Sequence, residues 1–187
     1  MQGNASVIGV IVAVAVILAL IVVWLWLRSR SERLRKRFGP EYSRAIAETG
    51  NRWKAESALH GREKRVESFH IRPLSSEECA QFQDSWRSIQ AQFIDDPNGT
   101  LVEADRLIRN VLSAKGYPVA DFEQRAADIS VDHPTVVENY RGGHSIALRH
   151  AEGRANTEEL RQAMVHYRTL FEDMLGQAEY TQTGRVL

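Results

Sequence analysis

The stretch SSEECAQFQDSWRSIQAQFIDDPNG, Ser75 to Gly99, decides the fold class. Ser75 followed three residues later by Glu78 fits a capping box, in which the two side chains satisfy free N–H groups at a helix start. Apolar residues then recur at Cys79, Phe82, Trp86, Ile89 and Phe93, and steps of three and four put all five on one helical face. Asp96-Pro97-Asn98-Gly99 ends the segment with turn chemistry. The pattern is a capped amphipathic helix joined by a short loop to its successor.

The same signature repeats toward the C-terminus. Leu101 to Lys115 carries Leu101, Ala104, Ile108 and Val111 on one face, widened by Leu107 and Leu112. Gly116 is the expected C-cap and Pro118 prevents continuation. A shorter helix near Asp121–Ile129 turns Phe122, Ala126 and Ile129 inward. Asp132-His133-Pro134 reads as the opening of another, because Pro is favoured in a first helical turn. That helix presents Val137, Tyr140, His144, Ala147, Leu148 and Ala151. Thr157 is the expected cap of the last helix, with its stripe at Leu160, Met164, Tyr167, Phe171 and Met174. No segment sustains a period of two, so the class is all-α, with a bundle of four to five short-looped amphipathic helices at 71–175. Residues 176–187 lack periodicity and are expected to be a disordered tail.

N-terminal to the bundle the pattern thins. Glu41 to Phe69 reads as a long polar helix with apolar residues only about once every two turns, and Gly50 and Gly61 predict one bend. Gly39-Pro40 predicts a break before it. Residues 28–70 form a basic juxtamembrane helical stalk on this reading. Further back, Val7 to Leu27 is an unbroken apolar run of 21 residues. As a helix it would reach about 31 Å, against a hydrocarbon core of roughly 30 Å. Trp24 and Trp26 fall at its end, and Arg28, Arg30, Arg33, Arg35, Lys36 and Arg37 follow at once. These eight residues are the expected membrane interface. A cleaved secretory signal fits less well, because residues 2–6 carry no Lys or Arg and the apolar core is too long.

The sequence therefore predicts a transmembrane helix at 7–27 behind a short extracytoplasmic tail at 1–6. The flanking charge puts the N-terminus outside and the C-terminal domain in the cytoplasm. The expected location is the bacterial cytoplasmic membrane, single-pass, with the lipid bilayer as one partner. Small residues at Gly9 and Ala13, and at Ala15 and Ala19, leave a homo-oligomer open.

The chain has 24 basic and 24 acidic residues, unevenly placed. Residues 28–73 hold thirteen Lys/Arg against six Asp/Glu, and residues 74–187 hold eleven against eighteen. Attraction to anionic lipid, about 1 kcal/mol for each basic residue near such a surface, accounts for the basic half. Nucleic acid is not an expected partner, since no aromatic residues interleave with the basic ones as a stacking platform requires. The opposed charges also allow the basic helix 41–69 to lie on the acidic bundle. Cys79 is alone, so there is neither a disulfide framework nor a pair of zinc-ligand cysteines.

The histidines are the first place to look for chemistry. His144 lies on an apolar stripe and His166 flanks the stripe of the next helix, so antiparallel neighbours could bring the two imidazoles together on a metal. Arg141 precedes His144 by three residues and Ala163 precedes His166, so the Glu-x-x-His pattern of di-metal bundles is missing. A buried histidine bonded to a backbone carbonyl is the favoured reading of each. Gly142-Gly143 interrupts a helical pattern at about 1 kcal/mol per glycine, which points to close helix packing or a small cavity beside His144. No nucleophile elbow, P-loop or dinucleotide turn is present, so the sequence assigns no catalytic residue and no cofactor, and an enzymatic reaction is left without support.

Three stretches carry a family likeness: RFGPEYSRAIAETG at Arg37–Gly50, SVDHPTVVENYR from Ser130, and TEELRQAMVHYRTLFE ending at Glu172. They resemble an uncharacterised family of small bacterial single-pass membrane-anchored helical proteins, over roughly residues 31–175. The resemblance implies an anchored helical domain and supplies no activity or site residue. The resulting expectation is a membrane-anchored helical interaction or adaptor module with a protein partner. The alternative is a metal- or cofactor-binding bundle using the histidines of the last two long helices.

Overall fold

The structure is a computed structural model that describes residues 2–183, with side chains described for 15–22, 24–25 and 28–176. Among these residues the chain is all-α, with eight helices and no strand. It divides into two compact units, Met1–His60 and Gly61–Leu187. The division falls inside a helix, ten residues before the expected junction of stalk and bundle.

The first unit holds α1 (Gln2–Phe38), α2 (Pro40–Thr49) and the first part of α3 (Arg52–Glu67). The expected break at Gly39-Pro40 is present, with Pro40 opening α2 as its first residue. The long polar helix expected over 41–69 is two helices. Gly50 closes α2 in the left-handed conformation (φ 63°), and Asn51 starts α3 by accepting from the Trp53 N–H at 2.8 Å. Gly61 sits within α3 without interrupting it. Leu34, Phe38, Tyr42, Ala45, Ala55 and Leu59 are the buried apolar residues of this unit.

Among the described residues no helix is long and apolar enough to cross a membrane. This corrects the expected transmembrane helix at 7–27 and, with it, the single-pass placement in a bacterial cytoplasmic membrane. The apolar side chains described on α1 run from Ala15 to Leu25. The rest of the expectation, over the side chains of 7–14, 23, 26 and 27, lies outside the described residues, as does the small-residue position Ala13.

The second unit is the bundle. It holds the end of α3 with α4 (Ser76–Gln92), α5 (Pro97–Lys115), α6 (Phe122–Asp132), α7 (Val137–Ala151) and α8 (Thr157–Thr183). The Ser75–Glu78 capping box forms in both directions, at 3.1 and 2.8 Å. Arg72 clamps the same Glu78 carboxylate with two bonds, and hydrogen bonds first from Arg72 and then from the Ser75 backbone hold its pKa down at about 2. Asp96 caps α5 and Asp121 caps α6, each accepting a backbone N–H three residues on at 2.9 Å. Gly116 ends α5 at φ 98°, where any Cβ would also collide with the His70 carbonyl oxygen.

Two expectations about helix ends need correcting. Asn156, not Thr157, caps α8: it exchanges bonds with Glu159 at 2.9 Å in each direction, a capping box with Asn in the Ser position. Asp132-His133-Pro134 does not open a helix. Asp132 ends α6, His133 is its C-cap, and α7 begins only at Val137. The last helix, α8, runs through Thr183.

The last helix organises the core. Leu160, Ala163, Met164, Tyr167, Leu170, Phe171 and Met174 of α8 are all buried, and α8 packs on α7, α5 and α4. Trp86 of α4 stacks on Phe171 at 5.0 Å. Full burial of such side chains stabilises by about 1.5–3 kcal/mol each. The basic second half of α3 docks on α6, as the charge distribution allows. Arg62 donates to Ser130 at 3.2 Å, and Arg65 to the buried Asp128 at 3.0 Å.

Candidate functional site

Within the first unit, α1, α2 and α3 enclose a cleft of about 870 Å³. Its floor is a polar knot. Ser31 and Tyr42 are buried, and the Glu56 carboxylate accepts from the Ser31 hydroxyl, from Tyr42 at 2.7 Å and from the Arg52 Nε at 2.9 Å. Arg52 also donates to Tyr42 at 3.1 Å and to Ser31. Burial pushes the Glu56 carboxyl up, but the bonds from Ser31, Tyr42 and Arg52 outweigh it, and the net direction is down. The hydrogen bond to Glu56, then that to Tyr42, raises the Arg52 guanidinium further. Both groups are therefore held charged, and the knot fixes α1 against α3 by its side chains.

The walls carry the sequence's interface residues. Trp24 is 56% exposed, and the Arg28 guanidinium stands 5.4 Å over its ring while bonding Glu32 at 3.3 Å. Arg30 and Arg35 line the same cleft, and Trp53, 70% exposed, completes it from α3. Arg33, Lys36 and Arg37 line a separate, shallower depression of about 470 Å³. The side chain of Trp26 lies outside the described residues. The basic run thus divides between two surfaces of α1. Trp53 carried no functional reading in the sequence.

The two candidate metal histidines have separate partners. His144 stacks on Phe122 of α6 at 3.5 Å, and burial pushes its pKa down. His166 pairs through Nδ1 with Asn139 at 2.9 Å. Among the described residues, no group of three His, Cys, Asp or Glu side chains could hold a metal ion. The glycine pair belongs to close packing of α7 on α8. A Cβ on Gly142 would stand 3.1 Å from the His166 ring, and one on Gly143 would stand 2.9 Å from the Tyr167 ring.

Sequence reading missed a second polar cluster at one end of the bundle. His133 is fully buried and pairs through Nδ1 with Asp173, and its Nε2 has no hydrogen-bond partner among the described residues. Nearby, buried Lys115 donates to the Met174 carbonyl at 2.9 Å, and Tyr117 donates to Asp132 at 2.8 Å. Burial lowers the Lys115 pKa, against the opposing pull of Asp173. These residues join the ends of α5, α6 and α8 through contacts 15 to 59 positions apart in the chain. No local spacing could have marked them. No family model, curated protein or solved structure matches the chain.

Proposed function

We propose that the protein is a helical interaction module, an adaptor in which the bundle is the rigid body and α1 the docking element. One observation carries this reading. Val16, Ile17, Leu18, Leu20, Ile21, Val22, Trp24 and Leu25 are each 45–64% exposed, in one continuous stretch of helix. Contiguous apolar surface of this kind marks an interaction site, because leaving it in water forfeits about 25 cal/mol for every Å² that could be covered. The buried charged groups of the bundle support the reading from the other side. Asp128, His133 and Lys115 are each bonded to another helix, as suits a rigid scaffold.

The partner on this reading is a protein whose own apolar helix packs along 16–25. Crosslinking the tagged full-length chain in its native cells, then purifying it, tests the proposal. The expected result is one partner in near-stoichiometric yield that is lost when Leu20 and Leu25 are both replaced by Gln. Recovery of the chain alone, or only with copies of itself, would overturn the adaptor reading.

A further inference from the structure

We propose that the cleft between α1 and α3 receives an aromatic side chain of the partner helix, and that the same helix sets a carboxylate against Arg35. The inference rests on the adaptor reading and adds the partner's chemistry to it.

The first observation is continuity. On α1 the residues Ile17, Ile21, Trp24, Arg28, Ser31 and Arg35 follow one another in steps of four and three, which keeps them on one helical face. Ile17, Ile21 and Trp24 belong to the exposed apolar strip, and Trp24 with Arg28, Ser31 and Arg35 lines the cleft. A helix laid along the strip therefore runs on into the cleft. Ile17 to Arg35 is a rise of about 27 Å, matched by a partner helix of about 18 residues, or roughly five turns.

The second is what the cleft leaves open. Arg28 already bonds Glu32, Arg52 bonds Glu56, and Ser31 and Tyr42 close on the same Glu56 carboxylate. Arg30 is engaged within the chain as well. An entering ion would compete with these pairs, whereas an apolar side chain leaves them intact. The indoles are the uncovered part of the lining, Trp24 at 56% and Trp53 at 70% exposed. With half-buried Ile46 they wall a space of about 870 Å³, which takes a ring together with the helical turn that carries it. Aromatic rings pack on one another edge-to-face or offset at about 4.5–7 Å between centroids, and Trp is enriched at the anchor points of interfaces.

The third is charge. Arg35 is exposed on the cleft wall and has no counter-ion among the described residues, unlike Arg28 and Arg52. A guanidinium takes a carboxylate through two parallel hydrogen bonds. Arg35 stands about 16 Å along α1 from Trp24, so the answering carboxylate lies about three turns from the aromatic anchor.

The probe is a displayed library of amphipathic helices of about 18 residues, leucine-rich on one face with several positions of that face randomised. It is panned against the full-length chain in neutral maltoside micelles. Selected helices should carry Phe, Tyr or Trp, with Asp or Glu about three turns away. Replacing that aromatic by Ala should weaken binding at least about tenfold. On the Trp53→Ala chain the two peptides should bind alike. Panning on the Arg35→Glu chain should turn the acidic preference basic. Trp53 and Arg35 are exposed, so both variants should melt as the wild type does by circular dichroism.

Selection without an aromatic, or an aromatic preference that survives Trp53→Ala, would overturn the proposal. An acidic preference unchanged in Arg35→Glu would do the same. A peptide copied from residues 17–35 of the chain and phosphatidylglycerol added to the micelles are the competitors. Displacement of the selected helix by either would give the cleft to a second copy or to lipid instead. Helices that bind through Leu20 and Leu25 yet lack the motif sink this inference and leave the adaptor reading standing. The motif selected on the chain, with no partner crosslinked in cells, removes the adaptor reading and keeps the cleft's preference.

Discussion

Gly142 and Gly143 are neighbours on α7 that carry different loads. A methyl on Gly143 would press on the ring of Tyr167, which is fully buried and has nowhere to move. Gly143→Ala should therefore destabilise the bundle by about 1–3 kcal/mol despite the better helix propensity of Ala. A methyl on Gly142 meets only the His166 ring, which is half-buried, and the gain in propensity of about 1 kcal/mol should roughly cancel the crowding. Urea unfolding of the two variants checks the contrast, and equal effects would show that Tyr167 yields. The sequence exposed this pair as an anomaly because two glycines are costly inside a helix. It could not say which neighbour required them, since both neighbours come from α8. The residue scale also holds a pH dependence. Burial keeps the folded-state pKa of His144 below its ordinary value of 6.5. As pH falls through that value the unfolded chain takes up the proton first, so this contribution to stability is present above 6.5 and is lost toward the folded pKa. His144→Gln removes the effect. The stability gap between wild type and variant should narrow from pH 8 to pH 5, and a constant gap would mean that the half-buried ring protonates freely.

Between elements, Asp128 shows how the basic half of α3 meets the acidic bundle. Its carboxylate is almost fully buried and accepts from Arg65 of α3 and from Gln124 one turn earlier in α6. Arg65→Met should cost about 1–3 kcal/mol, because it strands a buried charge on one remaining donor. Arg65→Met combined with Asp128→Asn should cost less than the two single changes together, which a double-mutant cycle in urea measures. Additive costs would show that the pair is not coupled. The helices themselves were legible: the stripe from Cys79 to Phe93 and the box at Ser75 needed only local periodicity and capping chemistry. Their ends were less so. Asn156 and Thr157 are both acceptable caps, and only the reciprocal bond from Glu159 selects the first. Pro134 looked like a helix start because nothing local reveals that His133 is drawn inside by Asp173, forty residues away. The cleft was half legible. Its arginines and Trp24 stood out as a cluster, whereas Trp53 and the Ser31–Tyr42–Glu56 knot depend on α1 meeting α3.

For the whole molecule, the distribution of apolar surface matters most. The bundle exposes large apolar side chains only at scattered positions such as Ile94, Val119 and Leu148, whereas α1 leaves Val16, Ile17, Leu18, Leu20, Ile21, Val22, Trp24 and Leu25 open along one helix. In detergent-free buffer the full chain should sediment as a self-associated species, since an uncovered strip seeks any apolar surface. Leu20→Gln with Leu25→Gln should shift the distribution toward the monomer in sedimentation velocity. If the variant sediments like the wild type, the contact lies elsewhere. The strip was visible in the sequence as an apolar run. Its reading as a full span is the point on which the expectation and the structure part, since no helix among the described residues is long and apolar enough to cross a membrane.

The bundle closes on its final helix. On the ribosome α4, α5 and α7 all emerge before α8 supplies the wall that covers them, and nascent chains fold in that N-to-C order. Any cut that separates α8 from the rest of the chain would therefore leave the core of the bundle open to water and to proteases.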